Sequence, residues 1–212
     1  MTERSDPLSP PEPVVRCGGR KAPVPKRKQP GPYRVPPREQ RHGLVIVNTG
    51  DGKGKSTAAF GILLRAAGRE MKVGMWQFVK NVDGRYGEHV AAERLGVSIV
   101  PLGDGFTWLS ENIDEDRALA QQGWAICRDA LRGGEYDVLI FDELTYPLRF
   151  GWLDIAEVLD EIARRPTGTH VVITGRSAPP ELVEMADLVT EMKLVKHPYR
   201  EQGIGAQPGI EL

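Results

Sequence analysis

The sequence has few cysteines, no long apolar run and almost no excess charge. Its 212 residues include two cysteines, Cys17 and Cys127, which provide neither a disulfide framework nor a metal-ligand spacing. Its longest apolar stretches are the length of strands, well short of the roughly 20 residues that a membrane-spanning helix needs. The formal net charge of −1 provides no global cationic field for nucleic acid or anionic lipid. We therefore expect neither a nucleic-acid nor a membrane partner.

Two further signals are missing. The polar N-terminus has no apolar signal core, which favours a cytoplasmic location. Each of the four histidines stands alone in the sequence, so no zinc site or catalytic triad is predicted.

The N-terminal segment differs in composition from the rest of the chain. Ten of the seventeen prolines lie within residues 1–40, among scattered lysines and arginines. Such a segment buries too little apolar surface to order itself. We therefore predict a flexible, basic, Pro-rich tail over residues 1–40 and one globular domain over residues 41–212.

From residue 43 onward, apolar runs alternate with helical periodicity. This alternation is typical of an α/β fold with three layers, in which a mostly parallel twisted sheet carries helices on both faces. The predicted strands begin with residues 44–47 and include 72–79, 97–102, 136–143, 169–174 and 188–195. Residues 196–212 are glycine-rich and are predicted to be a loop.

The stretch between the first strand and the first helix predicts a phosphate-binding loop. Its glycines allow backbone N–H groups to point at an anion, and the following helix adds the positive end of its dipole. Lys55 supplies a charge for phosphate oxygens, and the Ser56 hydroxyl is suited to ligating Mg²⁺. Thr49 occupies the place of the first glycine in the usual pattern. The predicted nucleotide-binding residues are Thr49, Gly50, Asp51, Gly52, Lys53, Gly54, Lys55, Ser56 and Thr57.

Two carboxylates end the apolar strand at residues 136–143. Asp142 and Glu143 are predicted to complete a magnesium site with Ser56, because an acid at the tip of a strand beside a phosphate loop reaches the metal directly or through water. The sequence does not distinguish which of the two touches the ion.

Other candidate residues follow the ends of further predicted strands, where open α/β sheets bind ligands. Lys80 ends the second strand, and Arg176 follows the strand at 169–174, where a guanidinium can bind an oxyanion or remain solvated. Phe106 and Trp108 lie in a glycine-introduced loop that we expect beside the phosphate loop. These aromatic rings suit either a loop anchor or a flat ligand.

With these segments in place, the chain resembles the phosphate-loop type of cob(I)alamin (corrinoid) adenosyltransferases. The resemblance covers roughly residues 42–212 and includes the form of the loop with Thr49. It implies a P-loop NTPase fold of the RecA-like kind. Its motifs occur in the family's order: TGDGKGKSTAAFG (49–61), QFVK (77–80), GFTW (105–108), DELTY (142–146), ITGR (173–176), VKH (195–197) and GIE (209–211).

The resemblance implies transfer of the 5′-deoxyadenosyl group of ATP to the cobalt of a reduced corrinoid such as cob(I)alamin, with release of triphosphate. ATP then binds with its polarity reversed, so that the 5′-carbon is exposed. Lys55, Ser56, Mg²⁺ and the strand tip at Asp142 and Glu143 then neutralise charge on the leaving group, while Phe106 and Trp108 pack on the lower corrin face. The resemblance also implies a homodimer, and a reductase is a further expected partner.

Two other functions fit parts of the pattern. A generic phosphate-loop kinase or ATPase would produce ADP or AMP, but we find no arginine-bearing lid segment of the nucleotide-kinase sort. A RecA-like nucleic-acid motor or nucleotide-gated binding module would need a basic groove, which the near-zero net charge disfavours.

Overall fold

The computed structural model describes residues 36–81, 86–103 and 113–211. The predicted tail up to residue 35 lies outside these ranges, as do Phe106 and Trp108. The compact unit that contains the described residues runs from Val35 to Leu212.

Strands and helices alternate along most of this unit. After a short 3-10 helix at Arg38–Gln40, the strands are β1 (Val45–Thr49), β2 (Val73–Asn81), β3 (Ser98–Gly103), β4 (Val138–Asp142), β5 (His170–Thr174) and β6 (Leu188–Glu191). The helices are α1 (Lys55–Ala67), α2 (Gly87–Arg94), α3 (Ile113–Gly133), α4 (Thr145–Arg149), α5 (Ile155–Ala163), α6 (Pro180–Met185) and α7 (Pro198–Gln202).

The six strands form one sheet in the order β3-β2-β4-β5-β1-β6, and all five pairings are parallel. The predicted α/β fold with a parallel sheet is confirmed. Strand β4 is not the direct neighbour of β1. Strand β5 lies between them, pairing Val47 with Ile173 on one side and Ile173 with Phe141 on the other.

Two apolar clusters cover the two faces of the sheet. Because successive strand residues point to opposite faces, Leu139 and Phe141 pack in one cluster and Val138 and Ile140 in the other. The first cluster also takes in α3, α5 and α6, whereas the second takes in α1 and α2. The predicted helices on both faces are therefore present, and the strands are buried from both sides.

Local signals explain several element boundaries. The Asp154 side chain accepts a hydrogen bond from the Ala156 N–H at 2.9 Å and caps α5, as its position before the apolar helix pattern predicts. Helix α3 ends before Gly134, which has a φ of 63°.

The C-terminal region differs from its prediction in two places. Strand β6 ends at Glu191, not Val195. The next residue, Met192, donates its N–H to the Thr49 carbonyl at 2.8 Å and lies against the loop after β1. Residues 198–202 form α7 instead of a loop. His197 caps this helix by accepting from the Tyr199 N–H at 3.2 Å, and Gly203, with a φ of 66°, ends it.

The segment before β1 packs against the base of the domain. Arg38 donates hydrogen bonds to the carbonyls of Gly134 and Tyr136 and to the Thr169 hydroxyl. Arg41 forms an ion pair with Asp137 at 2.6 Å. These contacts lie at the sheet edge opposite the loop after β1, because Asp137 and Thr169 precede β4 and β5.

Candidate active site

The loop between β1 and α1 is shaped by its glycines. Gly50 and Gly54 have φ values of 96° and 108°, which side chains rarely allow. The Gly52 N–H donates to the Met192 carbonyl at 2.7 Å. A Cβ atom on Gly50 or Gly52 would come within 2.5 or 2.7 Å of that same oxygen. The glycines therefore admit both the turn and the close approach of the chain that follows β6.

Thr49 departs from the usual loop pattern, and its position explains why it can. It is still the last residue of β1 and is not among the residues with positive φ, so it needs no glycine. Its hydroxyl accepts a hydrogen bond from the Ala178 N–H at 3.1 Å. Thr49 thus ties the end of β1 to the loop after β5, and Gly50 begins the turn.

Lys55 begins α1 with its side chain turned back into the loop. It is 6% exposed, and its ammonium donates to the Gly52 carbonyl at 2.7 Å. Burial lowers the pKa of Lys55, against the opposing effect of the nearby Glu143 carboxylate. Of the two residues that follow, Ser56 is half-buried and Thr57 is exposed. The ammonium is therefore held at the centre of the loop, where an anion would meet it.

Asp142 is clamped from both sides at the end of β4. Its Oδ1 accepts from the Thr174 hydroxyl on β5 at 2.6 Å, and its Oδ2 accepts from the Gln77 amide on β2 at 3.1 Å. The other end of the Gln77 amide accepts from His89 Nε2 at 2.7 Å. Because Asp142 is also 1% exposed, both of its oxygens are engaged inside the protein.

The Glu143 side chain, unlike that of Asp142, is not held by hydrogen bonds on both sides within the part of the chain that the structure describes. Its φ of 61° turns the chain sharply, and its N–H donates to the Thr174 hydroxyl at 2.9 Å. Its Oε2 is buried and has no hydrogen-bond partner among the described residues. Burial and the neighbouring Asp142 charge raise the pKa of Glu143 to about 7, although Lys55, Arg176 and Lys80 act in the other direction. The Glu143 carboxylate is therefore the acid that is available to a ligand.

Three cationic residues of the predicted site make their contacts in different places. Arg176 lies near the loop, with 3.8 Å between its Nη1 and Asp51 Oδ1. Lys53 is turned to the C-terminal segment, where it pairs with Glu211 at 2.5 Å. Lys80 instead pairs with Glu88 on α2 at 3.3 Å, and its ammonium lies 3.7 Å from the centroid of the Tyr86 ring.

The strand that leads to Phe106 and Trp108 lies at the edge of the sheet. Strand β3 is separated from β1 by β2, β4 and β5. Residues 104–112, which include the aromatic loop, lie outside the described ranges, so its expected place beside the phosphate loop stays a prediction.

The pattern of residues alone did not indicate two members of this site, Gln77 and Thr174. Both are buried polar side chains within or at the end of otherwise apolar strands. A polar residue within an otherwise apolar strand is the sequence signal that could have indicated these two positions.

The sequence is similar to proteins of a known family. The model of the family described as ATP:corrinoid adenosyltransferase BtuR/CobO/CobP matches residues 41–212. A corrinoid adenosyltransferase of Pseudomonas aeruginosa is 42% identical over 176 residues, which are 82% of this chain and 85% of that protein. A namesake from Sinorhizobium sp. is 41% identical over 80% of each chain, and one from Escherichia coli K12 is 38% identical over 84% of this chain and 90% of that protein.

The chain belongs to the ATP:corrinoid adenosyltransferase family. The resemblance read from the motifs is confirmed, and with it the reaction class, which is adenosylation of corrinoids in cobalamin biosynthesis or salvage. ATP and a corrinoid are the family's substrates. In addition, no helix in the described ranges is long and apolar enough to cross a bilayer.

Proposed function

We propose that this corrinoid adenosyltransferase binds the triphosphate of ATP in the loop after β1 and exposes the 5′-carbon to the cobalt. The Co(I) electron pair forms the cobalt–carbon bond, while the bond between C5′ and oxygen breaks and its pair leaves with triphosphate. The observation that carries the proposal is that a buried loop lysine and an available carboxylate lie at the same site. Lys55 and Glu143 influence each other's pKa across the same site.

The anion-binding role falls to the loop and to nearby cations. The N–H groups of the loop other than that of Gly52, which already donates to the Met192 carbonyl, suit a polyanion together with the start of α1. The Lys55 ammonium exchanges the Gly52 carbonyl for a phosphate oxygen, and the guanidinium of Arg176 offers a second contact. Lys80 would reach the substrate only by leaving Glu88. By holding charge that accumulates on the leaving triphosphate, these groups lower the barrier to transfer.

The residues at this site also fit a magnesium ion. The Ser56 hydroxyl and the unpartnered Glu143 carboxylate are hard oxygen ligands. Within the described ranges, no group of three or more His, Cys, Asp or Glu side chains forms a metal cluster. Magnesium commonly takes only one or two protein carboxylates and completes its shell with phosphate oxygens and water, so the two findings agree. When bound, the ion would neutralise phosphate charge.

The two carboxylates have different roles in this proposal. Glu143 is the direct magnesium ligand, because its oxygen lacks another partner. Asp142 is a positioning residue, since both of its oxygens already accept hydrogen bonds from Thr174 and Gln77. Thr174 connects the two acids by donating to Asp142 and accepting from the Glu143 N–H.

Thr174 provides a test of this division. Thr174→Val keeps the shape of the side chain but removes the hydroxyl that orients both acids. We expect kcat/KM for ATP to fall about 10-fold and the Mg²⁺ concentration for half-maximal rate to rise. Thr174→Ser retains the hydroxyl and is expected to restore most of the rate. Equal losses in both variants, without a change in Mg²⁺ dependence, would indicate a packing role only.

Phe106 and Trp108 are proposed to pack against the lower face of the corrin and to keep an axial ligand away from cobalt. Removal of that ligand makes reduction to Co(I) easier. Trp108→Ala is therefore expected to leave ATP affinity nearly unchanged and to slow corrinoid adenosylation by about 10-fold or more. A collapse of ATP affinity with normal turnover of chemically pre-reduced cobalamin would contradict this role.

The central experiment follows both products of one incubation. The protein is mixed with ATP, Mg²⁺ and chemically reduced cobalamin, the visible spectrum is recorded, and the nucleotide products are separated by chromatography. We expect adenosylcobalamin and triphosphate in equal amounts. ADP or AMP without a cobalt–carbon product would instead support a kinase or ATPase. A homodimer, a reductase partner and a cytoplasmic location stay predictions.

A further inference from the structure

A second buried carboxylate lies outside the loop site. Asp116, in the first turns of α3, is 9% exposed, and its Oδ2 is buried with no hydrogen-bond partner among the described residues. It lines a cavity of about 10 Å³ between the ends of β2 and β3, α3 and α4. An acid that is buried without a donor is unfavourable unless a ligand or water satisfies it.

The walls of this cavity are mostly apolar. Asp116 faces side chains of Phe78, Leu102, Leu119, Pro147 and Trp152, with Tyr146 at the border. Tyr146 connects the cavity to the candidate active site, because its N–H donates to the Glu143 carbonyl at 3.2 Å. The cavity therefore adjoins the proposed reaction site, and Asp116 is the carboxylate among its lining residues.

The size and charge of the cavity restrict its ligand. A volume of about 10 Å³ admits one small group, the size of a water molecule. A carboxylate repels phosphate and carboxylate groups, and it accepts hydrogen bonds from neutral N–H donors. Both substrates of the proposed reaction carry such a donor. The corrinoid carries it in its carboxamide arms, and ATP carries it as the 6-amino group of adenine.

We propose that Asp116 is a substrate-recognition residue that accepts a hydrogen bond from a neutral NH₂ group entering this cavity. The inference rests on the proposed function and adds a recognition element to it. The buried acceptor would discriminate between substrates with and without the NH₂ group, since a substrate that lacks this donor leaves the carboxylate unsatisfied.

The test compares Asp116→Asn with Asp114→Asn. Asp114 lies on the same turn with its side chain 93% exposed, so its variant controls for the change of charge. Equilibrium binding of ATP, of ITP, of cobinamide and of a corrinoid with its amide arms hydrolysed to carboxylates is measured by calorimetry for each protein. These binding measurements do not depend on turnover. A separate turnover assay of the wild-type protein therefore shows whether the proposed function itself fails.

If the donor is a corrinoid amide, Asp116→Asn weakens cobinamide binding by about 10- to 100-fold and improves binding of the hydrolysed corrinoid, while ATP affinity is unchanged. If the donor is the adenine amino group, ATP binding weakens by that factor and ITP binding does not. Either result supports the proposal and identifies the donor.

The proposal is overturned if Asp116→Asn and Asp114→Asn bind all four ligands alike, which would mean that only water occupies the cavity. It is also overturned if every affinity falls by one factor together with the melting temperature, which indicates a structural role. Should Asp116→Asn fail to fold, the wild-type protein decides. Equal affinity for cobinamide and its hydrolysed form, together with equal affinity for ATP and ITP, would exclude the recognition role.

Discussion

Lys55→Met is expected to reduce kcat/KM for ATP by about 1,000-fold while the protein remains folded. The ammonium of Lys55 is the buried positive charge at the centre of the loop, and it has a protein partner in the Gly52 carbonyl. Methionine preserves the unbranched apolar stem and removes the charge. Because burial lowers the pKa of Lys55, loss of the ammonium also removes a desolvation cost, and we expect no decrease in melting temperature.

The matched control for this variant is Lys72→Met. Lys72 lies before β2 at the opposite edge of the sheet, its side chain is 62% exposed, and its ammonium pairs with the surface residue Glu135. We expect its rate to stay within about twofold of wild type, since exposed ion pairs contribute little. Steady-state assays of triphosphate release at varied ATP measure both variants. Near-normal kcat/KM for Lys55→Met would mean that the triphosphate is held elsewhere.

The strands and the phosphate loop were readable from the sequence because their signals are local. Apolar strands alternate with helices along the chain, and the loop motif fixes the order strand, turn, helix around Lys55. Parallel strands also place their carboxyl ends at one edge, so Asp142, Glu143 and Arg176 were expected near the loop. The structure brings them close enough to Lys55 for the charges of Asp142 and Arg176 to influence the pKa values of both Lys55 and Glu143.

The clamp around Asp142 could not be predicted in the same way. It joins residues that are 65 and 32 positions away from Asp142 in the sequence, and it depends on β2 and β5 being the neighbours of β4. Strand order is set by the packing of the whole sheet, not by any single strand's composition. The left-handed conformation at Glu143 is equally non-local, since it follows from the bond between its N–H and Thr174.

The choice between the two acids illustrates what tertiary structure adds. Adjacent carboxylates at a strand end look equivalent in sequence. Alternation along the chain then separates them, because Asp142 remains inside the sheet between two polar neighbours while Glu143 turns out of β4. One carboxylate is satisfied by protein donors and the other is not. The unsatisfied carboxylate is therefore the one that we expect to contact a ligand and to make stability depend on pH.

Glu143→Gln is expected to lower kcat by about 100-fold or more and to stabilise the metal-free protein at alkaline pH. The amide is a weaker ligand for Mg²⁺ than the carboxylate and carries no charge toward Lys55. The raised pKa of Glu143, about 7 against an ordinary value of 4.5, means that the folded protein binds this proton more tightly than the unfolded chain does. The free energy of unfolding therefore falls as pH rises between these two values.

The glutamine variant removes this pH-dependent cost. At pH 8, we expect it to gain about 3 kcal/mol of unfolding free energy, or roughly 9 °C in melting temperature, and the gain should nearly vanish at pH 4.5. Thermal melts with a chelator present, at several pH values, measure the difference. Glu135→Gln, an exposed surface change, is the control and should show no such pH dependence. A glutamine variant that is destabilised equally at all pH values would contradict a buried, unpartnered carboxylate at position 143.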